Sequence, residues 1–265
     1  MKQWIDLVKH VIDNGEWRND RTGVGTLSVF GGHMQFDLRD RFPLVQAKET
    51  RWKTAFLEML WFLRGQGNTS WLHDNDCKLW DAWAAENGSL GPVYGVQWRD
   101  WVKYQGNIDQ VKAVIAGIKS NPHGRRHIVS AWNVADIDKM ALPPCHWAHQ
   151  LYAAEGNHLD MQVNQRSWDL ALGAPFNIAQ YALLLHLYAR ATGRKARHLH
   201  FSYGDAHVYT NHVGALEEMM HRRYTTDLAT LVFKTDNTDI DGYQPDDFDI
   251  VGYEPQPFIK LEVAV

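Results

Sequence analysis

The chain has 265 residues, 45% hydrophobic and 22% charged, with a formal net charge of −4. That suits one large globular domain and gives no overall positive field to attract nucleic acid. Its two cysteines cannot build a disulfide framework or a cysteine-rich zinc site, and no apolar run reaches the roughly 18 residues of a membrane span.

Residues 2–15 place Trp4, Leu7, Val8, Val11 and Ile12 at helical spacing, and Gly15 ends the run. Residues 19–26 form a polar, glycine-bearing loop that holds Arg21. Residues 27–38 predict one or two strands around Gly31-Gly32. Residues 53–64 predict an apolar helix with a single carboxylate, Glu58, at its middle. Residues 69–84 predict another helix, with Trp71, Trp80 and Trp83, and residues 91–95 a loop. An amphipathic helix follows over 108–120, stopped by Asn121-Pro122. Short strands are expected at 128–133, 148–153 and 159–165, and a long apolar helix at 174–193. A strand at 198–202, a helix at 209–220 and a mostly extended tail from 229 complete the chain. Strands and helices in mixed order predict one α+β domain over residues 1–265 rather than a regular strand–helix alternation. No secretory leader pattern opens the sequence, so a cytoplasmic setting is expected, with no membrane partner, no DNA and no metal.

Several residues could carry chemistry. Cys145 follows Pro143-Pro144, which remove two backbone donors and fix a corner. A thiol presented there beside cations is a candidate nucleophile, because the thiolate is the reactive form. The alternative is a buried structural cysteine. Arg21, Arg125, Arg126 and Arg166 all fall in polar, loop-like segments, and four guanidinium forks would make a pocket for a phosphate monoester. The loop expected after 159–165 offers Arg166, Ser167 and Asp169, and Asn177 is expected in the first turn of the next helix. An amide there both accepts and donates, as the N3–H and O4 edge of uracil demands, although such residues also cap helices. Glu58 lies among apolar neighbours, so it either points outward or is held with a raised pKa for proton transfer. His207 and Tyr209 alternate onto one side of an extended segment and could grip ribose hydroxyls. Neither a dinucleotide-binding glycine fingerprint nor a P-loop is present.

Together these segments resemble thymidylate synthase over the whole chain. The matching stretches are Asn19-Asp20-Arg21-Thr22-Gly23, Glu58-Met59-Leu60-Trp61-Phe62-Leu63, Trp80-Asp81-Ala82-Trp83, Gly91-Pro92-Val93-Tyr94-Gly95, Ala141-Leu142-Pro143-Pro144-Cys145-His146, Gln165-Arg166-Ser167, Pro175-Phe176-Asn177 and Gly204-Asp205-Ala206-His207. The resemblance implies a large mixed sheet packed with helices and stacked across a homodimer. It implies dUMP as substrate and 5,10-methylenetetrahydrofolate as cofactor. It casts Cys145 as nucleophile, with Glu58, Tyr94, His146, Arg166, Asp169 and Asn177 as further catalytic residues. Arg21 and Arg166, with Arg125 and Arg126 of the partner subunit, would hold the phosphate, and Ser167 would contact the substrate. His207 and Tyr209 would bind the sugar, and Asp169 and Asn177 would also contact the substrate. Arg51, Leu79, Trp80, Trp83, Leu142, Asp169, Gly173, Phe176 and Ala264 would line the folate site. Arg166 is expected to depress the thiol pKa.

The sequence departs from the family pattern at Gln46-Ala47, Arg51, Trp147, His149, Asn164 and Trp168. These departures keep a second outcome open, a pyrimidine nucleotide 5-hydroxymethylase in which water replaces hydride. His149 could orient that water, and bulk at Trp147 and Trp168 could displace the folate. A non-catalytic nucleotide- or RNA-binding relative is the alternative outside enzymes.

Overall fold

The computed structural model describes residues 1–222 and 229–263. Along the chain come α1 (Lys2–Asn14), β1 (Glu16–Arg18), β2 (Thr26–Asp37), α2 (Trp52–Leu63), α3 (Ser70–His73) and α4 (Tyr94–Arg99). A ribbon of β3 (Trp101–Val102) and β4 (Asn107–Ile108) precedes α5 (Gln110–Ser120) and β5 (Ile128–Ser130). Then follow β6 (His146–Ala154), β7 (His158–Asp169), α6 (Gly173–Ala191), β8 (Lys195–Tyr209) and α7 (Val213–His221), and a second ribbon of β9 (Thr230–Phe233) and β10 (Phe248–Val251).

Six strands form one mixed sheet in the order β1-β2-β8-β7-β6-β5. Among the described strands only β7 and β8 run parallel, and the helix α6 makes the crossover that a parallel pair requires. This helix is apolar nearly all round: Ile178, Tyr181, Ala182, Leu184, Leu185 and Tyr188 have no exposure. Such a helix belongs at the centre. It packs on one face of the sheet, and α2 packs against it. No helix is long and apolar enough to cross a membrane among the described residues.

A transverse seam runs across four strands. In a regular strand, side chains alternate faces with period two. On β8, Leu199 and Phe201 face the core before Gly204, but Ala206 and Val208 face it afterwards. On β2, Leu27 and Val29 pack toward the core before Gly31, Met34 and Phe36 after it. On β7 the parity changes between Gln165, which reaches α6, and Trp168, which stacks on Phe201. On β6 an extra residue, Trp147, slips the pairing between His146 and Ala148. Gly31 has φ +84, and a Cβ at Gly204 would sit 3.0 Å from Arg166 O. Glycine is what permits both the turn of phase and the close approach. The residues with chemistry cluster on the far side of this seam.

Several expected elements come out differently. The helix expected over 69–84 stops at His73, and Trp80 and Trp83 sit in turns instead. Apolar spacing there reflects the Trp80 indole packing on Trp61 and Phe62, with Trp83 edge-on to Trp80, not a helix. The 91–95 loop ends early, because α4 begins at Tyr94. Arg166, Ser167 and Asp169 are not in a loop: β7 continues through them, pairing with β8 to Asp169 opposite His207. The strand expected over 198–202 extends from Lys195 to Tyr209, so the helix expected from 209 starts at Val213. Gly173 opens α6, which puts Asn177 just beyond the first turn.

Candidate active site

Cys145 sits at the corner where the diproline segment enters β6. The corner is fastened from two sides. Arg166 donates from Nε to Pro144 O at 2.8 Å and from Nη2 to Pro143 O at 2.9 Å. Its backbone N–H donates to Cys145 O at 2.8 Å. Opposite, the Cys145 N–H donates to the Tyr94 hydroxyl at 2.7 Å. The Tyr94 ring stacks on His146 at 4.2 Å between centroids. The remaining reach of His146 is spent on Tyr181, whose hydroxyl lies 2.8 Å from Nδ1. Burial pulls the His146 pKa down to about 3, so the imidazole stays neutral.

The thiol itself is half-buried. Burial pushes its pKa up, and Arg166, the Tyr94 hydroxyl and Arg21 pull it back down, while Asp169 adds to the rise. The net direction is upward. The expectation that Arg166 depresses the thiol therefore holds for its own contribution but not for the sum, because desolvation of the thiolate outweighs it.

Glu58 points from α2 into protein. Trp80 donates its indole N–H to Oε1 at 2.7 Å, and Gln180 donates its amide to Oε2 at 2.5 Å. Both partners are neutral, so burial wins and raises the carboxyl pKa to about 7. The contacts continue outward. Asn177 Nδ2 donates to Gln180 Oε1 at 3.2 Å, and Gln165 Nε2 donates to Asn177 Oδ1 at 3.2 Å. This fixes which end of Asn177 accepts and which donates. One N–H and one lone pair remain on it for a ligand.

At the neighbouring strand ends, His207 Nδ1 lies 2.9 Å from Asp205 Oδ1, which also accepts from Ser28 Oγ at 3.1 Å. The Tyr209 ring stands edge-on to His207 at 5.5 Å. The Tyr209 hydroxyl is raised by burial, with Asp169, Arg21 and Cys145 all within electrostatic reach. Asp169 accepts at Oδ1 from the N–H groups of Ala171 and Leu172, and Oδ2 has no partner among the described residues. Gly173 lies between Asp169 and Asn177, where a Cβ would be 3.7 and 3.8 Å from their nearest atoms. Trp83 stands edge-on to Trp80 at 5.7 Å, and its buried N–H is unpartnered among the described residues.

A family model described as thymidylate synthase matches residues 2–265.

The chain belongs to the thymidylate synthase family.

This makes the protein a transferase acting on dUMP, in a family that uses folate and that methylates or hydroxymethylates its substrate. For a thymidylate synthase family member, the structure brings Cys145, Glu58, Tyr94, His146, Arg166, Asp169 and Asn177 together through the contacts above. Arg21 and Tyr209 join them electrostatically. Ser167 lies on the same strand, opposite Asp205. Leu79, Leu142 and Phe176 are half-buried against the core, and Arg51 is exposed with its guanidinium over Phe258 at 4.7 Å. Ala264 lies outside the described residues. Arg125 and Arg126 are not brought to Cys145: both are exposed on a cavity of about 920 Å³ between α5 and β5, unpaired among the described residues.

Two departures from the family pattern are buried side chains of the core. His149 is fully buried, 3.1 Å from the Tyr188 hydroxyl and edge-on to Trp98. It lies behind the site, against the Tyr181 ring at 5.8 Å between centroids, where it has no exposed edge. Trp168 is fully buried and stacked on Phe201 in the core. Trp147 is an exposed bulge residue, and Gln46 accepts at its carbonyl from Gln256 of the tail. Sequence reading gave no role to the connectors Gln165 and Asp205 and missed Gln180, Tyr181 and Lys48. Gln180 was the most accessible, because it falls three residues after Asn177 on one helix face. Lys48 is buried and donates to Ala171 O at 2.7 Å; burial lowers its pKa to about 8 against the charge of Asp169.

Proposed function

We propose that this protein is a thymidylate synthase, converting dUMP to dTMP with 5,10-methylenetetrahydrofolate, and that residues 1–265 form its single catalytic domain. The observation that carries the proposal is the amide chain from Asn177 through Gln180 to Glu58. It ties an amide fitted to the N3–H and O4 edge of uracil to a carboxyl whose pKa of about 7 lets it give and take a proton at neutral pH. In this reading Cys145 Sγ adds to C6 of the pyrimidine, and the C5–C6 electron pair moves toward O4. Asn177 holds N3–H and O4. Glu58 serves the proton at O4, and Tyr94 and neutral His146 serve the proton leaving C5. Arg166 stabilises the thiolate while its remaining donors, with Arg21, Ser167 and the partner subunit's Arg125 and Arg126, grip the phosphate. His207 and Tyr209 take the sugar, and Asp169 borders both ligands.

The side chains present fit a folate. The open Oδ2 of Asp169 can accept from a pterin N–H, and the unpartnered indole N–H of Trp83 can donate. Arg51, Leu79, Trp80, Leu142, Gly173, Phe176 and Ala264 complete the proposed pocket. When bound, the folate supplies the one-carbon unit and, in a synthase, the hydride that makes it a methyl group. The full burial of His149 and Trp168 supports methyl over hydroxymethyl, since neither presents an exposed atom to hold a water or displace a ligand.

A homodimer is part of the proposal. The sheet face away from α6 carries Phe30 at 82% and Tyr152 at 64% exposure, and a second copy stacked there would cover both. The unpaired guanidiniums of Arg125 and Arg126 would then have a phosphate to bind across that interface. The two free cysteines suit the cytoplasm.

The test is release of tritium from C5-labelled dUMP with methylenetetrahydrofolate, followed by product mass and dihydrofolate absorbance. A methyl product with dihydrofolate is expected; a hydroxymethyl product would replace the synthase reading, and no release would end both. Cys145→Ser should abolish turnover and keep dUMP binding; normal turnover by that variant would remove the nucleophile assignment.

A further inference from the structure

Glu58, Gln180, Asn177 and Gln165 form one chain of hydrogen bonds, and every link in it has a direction. Gln180 Nε2 donates to Glu58 Oε2, Asn177 Nδ2 donates to Gln180 Oε1, and Gln165 Nε2 donates to Asn177 Oδ1. An amide has a donor end and an acceptor end, so turning one over forces its neighbour to turn as well. At the inner end stands Glu58, whose ionised form can only accept. At the outer end Gln165 Nε2 also donates to the backbone carbonyl of Ser167 at 3.0 Å. Gln180 is fully buried, so solvent cannot answer a mismatched link.

We propose that Gln180 is a positioning residue that ties the choice between uracil and cytosine to the proton on Glu58. The inference rests on the proposed reading of Asn177 as the group that meets the pyrimidine. In the observed direction Asn177 keeps a lone pair on Oδ1 and an N–H on Nδ2, as the N3–H and O4 edge of uracil requires. Cytosine offers an acceptor at N3 and a donor at N4, so Asn177 must turn over to meet it. Gln180 must then turn too, which brings its carbonyl against Glu58 Oε2. Two oxygens meeting there repel unless the carboxyl carries a proton and donates it. Reversed, Glu58 O–H donates to Gln180 Oε1, Gln180 Nε2 to Asn177 Oδ1, and Asn177 Nδ2 to Gln165 Oε1.

Both ends of the chain suit two directions. Gln165 Oε1 is buried and has no partner among the described residues, so the outer end already holds the acceptor that the reversed chain uses. Reaching it breaks the bond to Ser167 O, which keeps uracil the better fit. At the inner end the donors to Glu58, Trp80 and Gln180, are neutral. Cys77, Tyr94 and Tyr181 are near enough to feel its charge, and burial raises the pKa of all three. His146, which stacks on Tyr94 and meets the Tyr181 hydroxyl, stays neutral. Among these groups no cation holds Glu58 as an anion, and it titrates at about 7. Ionised Glu58 locks the uracil direction; protonated Glu58 permits either one.

The experiment is calorimetry of dUMP and dCMP binding to the full chain between about pH 6 and 8.5, in buffers of different ionisation enthalpy. At about pH 8, dCMP is expected to take up about one proton more than dUMP, since the phosphate contributes equally to both. The ratio of the dCMP Kd to the dUMP Kd should rise about fivefold from about pH 7 to 8. Glu58→Gln, whose amide can present either end, and Gln180→Met, which breaks the link, should each make that ratio independent of pH. If Gln180→Met does not fold, Glu58→Gln alone must flatten it. Equal proton uptake for the two nucleotides, an unchanged pH dependence in folded Glu58→Gln, or no dCMP binding even at the acid end would overturn the inference. Equal uptake with normal tritium release would remove the inference and leave the synthase reading; no tritium release with the proton difference intact would do the reverse.

Discussion

Glu58 and Asp160 are carboxylates that protein surrounds on opposite sides of the sheet, and their neighbours send them in opposite directions. Glu58 has neutral donors, Trp80 and Gln180, and burial raises its pKa to about 7. For Asp160 burial also pushes upward, but the Arg197 guanidinium and the His198 N–H outweigh it and the pKa falls. The lesson is that hydrogen bonds alone do not fix a buried charge; a full opposite charge does. One carboxyl is left able to exchange its proton at neutral pH. The other is committed to its anion.

The comparison breaks most visibly in kinetics. Glu58→Gln keeps the shape and removes the proton, and is expected to lower kcat by roughly 10²–10⁴-fold in the tritium-release assay. An unchanged kcat would mean that the raised carboxyl is merely structural. Asn177→Asp, at the other end of the same chain, should cut kcat/KM for dUMP by about 10²-fold and shift preference toward dCMP. Competing the two nucleotides reads this directly. On the opposite side, Asp160→Asn leaves Arg197 without its anion. A loss of about 2 kcal/mol in urea unfolding is expected at neutral pH, less than for a fully buried pair because both side chains keep some solvent contact. That loss should stay full down to the ordinary Asp value of 3.8 and shrink only as the pH falls below it, through the lowered folded value.

Titration sharpens the same contrast. The folded chain holds the Glu58 proton more tightly than the unfolded chain, whose value is 4.5. Its stabilising share is therefore full below about pH 4.5 and lost as pH rises through about 7. The melting temperature of Glu58→Gln, relative to wild type, should rise from about pH 5 to about pH 8. His149 behaves the other way, because burial lowers its pKa from 6.5 to about 3. Within that window the unfolded chain binds a proton that the folded chain does not, so stability is lost as pH falls. His149→Phe should flatten the slope of unfolding free energy against pH by about 1.4 kcal/mol per unit between about pH 4 and 6.

The sequence was most readable where periodicity and chemistry coincide. Trp4 to Ile12 marked α1, the apolar run marked α6, and Glu58 among apolar neighbours marked itself. The helix predicted over 69–84 failed because indoles spaced for packing imitate a helical stripe. Arg166, Ser167 and Asp169 read as loop because the seam breaks alternation while strand pairing continues. Cys145 and Asn177 were visible as residue types, but what fastens them was not: Gln180, Tyr181 and the Trp80–Glu58 bond are pairings across the fold. His149 and Trp168 looked like active-site changes because neighbours in sequence on β6 and β7 face opposite sides.

The seam also constrains how such a molecule can change. Gly31, Gly204, the Arg166 region and Trp147 invert facing at one level across neighbouring strands. Deleting a residue from one of them would turn its catalytic end inward while its neighbours still faced their ligands. Gains and losses at this level should therefore arrive together in descendant sequences, inherited as one unit across positions more than a hundred residues apart.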